Sequence, residues 1–144
     1  MEIKEKIEKR CNLILDYLAE LDVVLPEDAS AYHASPLYRN AAERLCEKIV
    51  DASTDIVALL CKIEEVPSIA IFDFAPMVHA LEQKALFPSS IATPLIELYG
   101  FKNRILYNYG DSETESAYEI LISDFIPFYE KFVEFMNETV LLKL

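Results

Sequence analysis

The stretch 35-SPLYRNAAERLCEKIVDASTDIVALLCKI-63 decides the fold. Ser35 offers a hydroxyl to the first unpaired amides of a helix, and Pro36 suits the first turn, where its missing N–H goes unneeded. From there Leu37, Ala41, Leu45, Ile49, Ala52, Ile56 and Leu59 recur at three- and four-residue steps, the spacing of one helical face. Cys46, Val50, Val57 and Leu60 add a second apolar face. A helix apolar over most of its circumference belongs in the middle of a bundle. Asp55 interrupts the apolar run and is expected to be buried. It therefore needs a cation, either Arg44 of the partner subunit or Arg104.

The flanking sequence reads the same way. Ile3, Ile7, Cys11, Ile14, Leu18 and Leu21 form one stripe, which predicts a helix from about Glu2 to Leu21 that is ended by Pro26. The segment Ser30-Ala31-Tyr32-His33-Ala34 reads as a loop. A shorter helix is expected from about Phe74 to Leu86, stopping before Pro88, and another from Ser89 toward Tyr107 with Pro94 kinking its early turns. The last runs from about Glu113 to Leu142, kinked at Pro127. Tyr118, Leu121, Phe125, Phe128, Phe132 and Phe135 stand at helical spacing along it, as core packing rather than a ligand site. Glu113, Glu115 and Glu119 suit its N-terminal turns through the helix dipole. The fold class is thus all-α: an antiparallel four-helix bundle with an additional short helix, in a single domain over residues 1–144.

Composition excludes several functions. The 144 residues carry a formal charge of -12, which repels a phosphate backbone unless the few cations are gathered at one place. With glycine only at positions 100 and 110, Gly-rich nucleotide loops of both common types are absent. Cys11, Cys46 and Cys61 lack C-x-x-C pairing and sit in helical patterns, so buried free thiols are expected. His33 and His79 have no partners at ligand spacing, and no metal or cofactor is expected. No apolar run reaches the roughly 18 residues of a membrane span, and the charged start is no signal peptide; a cytoplasmic protein with no membrane partner is expected.

Chemistry concentrates in Gly100-Phe101-Lys102-Asn103-Arg104-Ile105-Leu106-Tyr107-Asn108-Tyr109-Gly110. Two cations without an acid precede two tyrosines, and helical geometry sets Asn103 and Tyr107 on one face, predicting a small cationic and polar cluster at a helix end. Gly100 inside this helix costs about 1 kcal/mol relative to alanine, and close approach of another backbone would account for it.

This segment resembles the signature of the HepT-like family of the HEPN superfamily, Gly-Phe-Arg-Asn-Arg-x-x-His-x-Tyr, at Gly100, Phe101, Asn103, Arg104 and Tyr109. The resemblance extends to Pro88, Ile91 and Leu95, to Ser35-Pro36-Leu37 with Ala42-Glu43-Arg44, to Asp55-Ile56, and to Tyr118-Glu119-Ile120-Leu121. It implies a homodimer acting as a toxin ribonuclease, cutting RNA but not DNA, and paired with a nucleotidyltransferase antitoxin. In that family the arginine and histidine of an R-x4-H-x-Y motif meet across the dimer and cleave RNA without metal, and the antitoxin adenylylates (AMPylates) the motif's tyrosine. Here Lys102 replaces the arginine and Tyr107 the histidine, while Tyr109 keeps the modified position. The resemblance therefore implies a site of Lys102, Asn103, Arg104 and Tyr107. A lysine keeps charge but loses the two-pronged geometry of a guanidinium, and a phenol with a pKa of about 10 is a poor general base. The alternative expectation is a catalytically inactive homodimeric bundle that binds the nucleotidyltransferase or a nucleotide.

Overall fold

Proline and a few capping side chains set where the chain breaks its helices. The computed structural model describes residues 2–67, 73–107 and 117–144, with every side chain among them except those of Leu106 and Tyr107. Helix α1 (Ile3–Val24) stops just before Pro26. A short α2 (Ala29–Ala34) follows, where a loop was expected; the Asp28 carboxylate starts it by accepting the Ala31 N–H at 2.8 Å. Helix α3 (Pro36–Ile63) begins as its sequence predicts, with the Ser35 hydroxyl accepting the Tyr38 N–H at 3.3 Å.

Helices α3 and α4 (Phe74–Gln83) both close on a left-handed residue, Glu65 at φ 54° and Ala85 at φ 61°. The next amide then reaches back five residues, Val66 to Cys61 and Leu86 to Leu81, satisfying carbonyls that a helix end leaves unpaired. Helix α5 (Ser89–Tyr107) continues through Pro94. The final helical stretch, α6, covers 117–143. Pro127 can give no N–H to Ser123, and in a regular turn its ring would strike that carbonyl. The chain answers with a widened π-turn, Leu121–Phe125, after which Pro127 lies in the first turn of a regular segment, Ile126–Phe135. A second π-turn, Met136–Val140, follows.

Among the described residues there is no strand, and the protein is an all-α helical bundle, with two short helices, α2 and α4, where one was expected. Long helices run antiparallel to their neighbours. Arg10 of α1 meets Asp55 of α3 while Tyr17 meets Lys48, so numbers rise on one helix as they fall on the other. Helix α6 likewise runs back along α1: the Tyr118 hydroxyl donates to the Pro26 carbonyl at 2.7 Å, and Asn137 and Leu141 lie beside Lys4 and Glu8.

Helix α3 takes the central position its two apolar faces demand, packed against α1, α2, α4 and α5. Its first turn departs from expectation, since Leu37 stays 75% exposed before the bundle closes around Ala42, Leu45 and Cys46. The aromatic stripe of α6 is core: Phe125, Phe128 and Phe132 are buried, and Phe125 meets Phe101 of α5 with ring centroids 6.2 Å apart. A polar bridge crosses this core between the buried Ser53 and Tyr129 hydroxyls at 3.4 Å, with Ser53 also donating to the Val50 carbonyl. Burial raises the Tyr129 phenol well above its ordinary pKa, so it stays neutral there.

Candidate active site

Lys102 and Arg104, two residues apart near the end of α5, face different ways. Residues two apart on an α-helix point in nearly opposite directions, and the packing of α5 turns that rule into a division of labour. Lys102 goes inward and is only 9% exposed. Its Nζ sits 4.5 Å from the centroid of the Tyr99 ring, and that ring stacks on Phe74 of α4 at 4.8 Å and 14°. The result is a three-layer stack of ammonium, phenol and phenyl that fastens α5 to α4. Placing a cation over an aromatic face contributes about 0.5–2 kcal/mol, more as water is excluded. Tyr99 and Phe74 escaped the sequence reading, although the i−3 position of Tyr99 was the available signal.

Arg104 goes outward on the other side. It lines a cleft of ≈ 520 Å³ between α5 and α6, together with Glu97, Asp124 and Lys131. This lining carries two cations and two carboxylates, with Ser90 and Ser123 adding hydroxyls over an apolar wall of Phe101 and Phe128. Asn103 is half-buried between the two sides. Tyr107 is the last residue of α5, and its side chain lies outside the described residues, as do Tyr109, Gly110, Glu113 and Glu115.

Among the described residues no backbone from another element comes close to Gly100. Among the described residues an added Cβ would meet only the tip of the Arg104 guanidinium, at 3.4 Å, an ordinary contact with a flexible side chain. Asp55 corrects the expectation of burial: its side chain is 59% exposed, and within its own chain it pairs with Arg10 at 3.2 Å. Arg44 instead pairs with Glu47 on its own helix. The expected need for a cation holds, but burial is not its cause.

Cys11, Cys46 and Cys61 are free and buried, as expected. Loss of water pushes the Cys11 thiol up to about 12, with Glu8 adding to the effect, and raises the other two as well. Burial thus disfavours the thiolate, the form that attacks or binds metal, at all three. His79 lies on the surface beside Glu82, at 3.5 Å, and His33 packs edge-on against Tyr32. Among the described residues no group of three or more His, Cys, Asp or Glu is placed to hold a metal ion. No described helix is long and apolar enough to cross a membrane.

Fold and site together define an all-α bundle whose fifth helix carries, in its C-terminal half, a cation braced by aromatic rings. A family model described as ribonuclease HepT-like matches residues 14–136, and the chain belongs to the HepT-like family. The match takes in α2 through α5 entire, half of α1 and most of α6. Among curated proteins none matches the chain.

Proposed function

We propose that this chain is the ribonuclease of a toxin–antitoxin pair and cuts RNA without a metal where two copies bring their α5 ends together. The supporting observation is the family match over the helices that carry and brace the α5 end. In such a cut a base takes the proton of a 2′-hydroxyl, the 2′ oxygen bonds to phosphorus, and the 5′ oxygen leaves with a proton. Cations steady the non-bridging oxygens as charge builds. Lys102, Asn103, Arg104 and Tyr107 are the residues we assign to this work. Arg104, exposed and lining the cleft against α6, carries the planar guanidinium whose geometry suits a phosphate. Tyr107, a phenol, suits delivery of the leaving-group proton better than removal of the first one. Tyr109 is the acceptor for adenylylation by a nucleotidyltransferase antitoxin, and the chain works as a single domain.

One observation favours a second reading, a homodimeric bundle that has lost cutting and keeps the nucleotidyltransferase or a nucleotide as ligand. Lys102, the cation at the family's arginine position, is buried over Tyr99 rather than presented to a ligand.

Cleavage of a labelled RNA in the presence of chelator separates the two readings. The ribonuclease reading expects the unmodified protein to cut slowly, and the Lys102→Arg, Tyr107→His double variant to cut at least about 100-fold faster, the usual share of a positioned general base. Cutting by the double variant alone would establish the second reading. Cutting by neither would overturn ribonuclease chemistry at this helix end.

A further inference from the structure

Thirteen Lys and Arg stand against twenty-five Asp and Glu in this chain, so any place where cations gather needs a reason. Five of the thirteen line one groove of ≈ 680 Å³ between α1 and α3: Lys6, Lys9 and Arg10 from one wall, Arg44 and Lys48 from the other. Among the described residues only two carboxylates, Asp51 and Asp55, share that lining. Five positive and two negative charges make a local excess of three in a chain whose formal charge is -12. This gathering is the condition under which so acidic a protein can hold a polyanion.

The charges follow the groove rather than a single point. Antiparallel packing sets Arg10 opposite Asp55 and Tyr17 opposite Lys48. Eleven residues of helix separate Lys6 from Tyr17, about 16 Å at 1.5 Å per residue. Arg10 is engaged with Asp55, and Arg44 with Glu47 at the rim. Among the described residues Lys6 and Lys9 form no ion pair, and Lys48 lies 5.4 Å over the Tyr17 ring. Leu13, Tyr17 and Leu59 supply apolar surface between the charges. A charged track with an aromatic and aliphatic floor suits a strand whose base faces are bare, whereas a duplex hides those faces and offers phosphates alone.

We propose that the α1–α3 groove binds the phosphodiester backbone of single-stranded RNA, at a place separate from the α5 end. The proposal goes beyond the catalytic reading, since the groove holds a strand whether or not the α5 end cuts one.

Fluorescence anisotropy with a labelled 2′-O-methyl RNA 12-mer tests it. The blocked 2′-oxygen cannot attack, so binding is read independently of cleavage. Binding to the full chain is expected at 50 mM salt, weakening with a log–log slope of about -2, as three phosphate contacts to a single strand require. The Lys9→Gln, Arg44→Gln, Lys48→Gln triple variant is expected to bind at least tenfold more weakly with a flatter slope. Lys9→Gln alone, an exposed change that leaves packing untouched, should lower the slope by about 0.7. Lys84→Gln, outside the groove, should leave affinity within twofold. No binding at 50 mM salt overturns the proposal, as does equal affinity for native and triple variant with unchanged melting. If polyglutamate held the groove as tightly as the RNA, the proposal would fall in favour of an acidic protein partner.

Discussion

The two cation-bearing regions of this molecule invert each other. At the α5 end, Lys102 and Arg104 are two residues apart in the chain, yet one lies over the Tyr99 ring and the other lines the cleft against α6. In the α1–α3 groove, Arg10 and Lys48 are remote in the chain and share one lining. Closeness along a helix scatters charge around its axis, while packing two helices together gathers it. A cluster read from consecutive residues is therefore a weaker inference than one read from two stripes.

The largest test of this contrast removes what fixes the facing of α5. Phe101 is buried against Phe125, and Phe101→Ala is expected to cost about 3–5 kcal/mol in urea denaturation, as large core truncations do. A loss below about 1 kcal/mol would mean that packing does not decide which way Lys102 and Arg104 point. A smaller effect, about 0.5–2 kcal/mol, is expected for Tyr99→Leu, which removes the ring beneath Lys102. The same variant should speed chemical acetylation of Lys102, followed by mass spectrometry; an unchanged rate would show that the ring does not shelter it. The smallest effect falls on the groove. The Arg10–Asp55 pair is largely exposed, so Asp55→Asn should change stability by less than about 1 kcal/mol. It should nonetheless tighten RNA in the groove at least twofold, and weaker binding would show that Asp55 does not compete with the strand for Arg10.

The same contrast explains what the sequence disclosed. Ser35-Pro36 announces α3 because capping is local chemistry between neighbours, and Pro127 marks a break because a missing N–H is a property of one residue. The short α2 went unread because six residues carry too little periodicity, although Asp28 three residues before Ala31 was a usable capping signal. Asp55 was misread by attending to its apolar neighbours. Counted in steps of three, four and seven it falls in line with Arg44, Asp51, Ala58 and Lys62, all exposed, so the helical period already placed it on the outer stripe. At the candidate site, the family signature was legible in Gly100, Phe101, Asn103 and Arg104, whereas the burial of Lys102 depends on Phe74, a residue from another helix. The groove was illegible for the same reason: neither helix alone holds enough cations to be noticed.

The bond from the Tyr118 hydroxyl to the Pro26 carbonyl joins residues 92 positions apart. Closing so long a stretch of chain costs entropy that few other contacts have yet offset when folding begins. Such a bond is expected to form late, and Tyr118→Phe should then leave the refolding rate in urea unchanged. Its contribution would be one of lifetime rather than speed, and the same variant is expected to open the finished bundle faster.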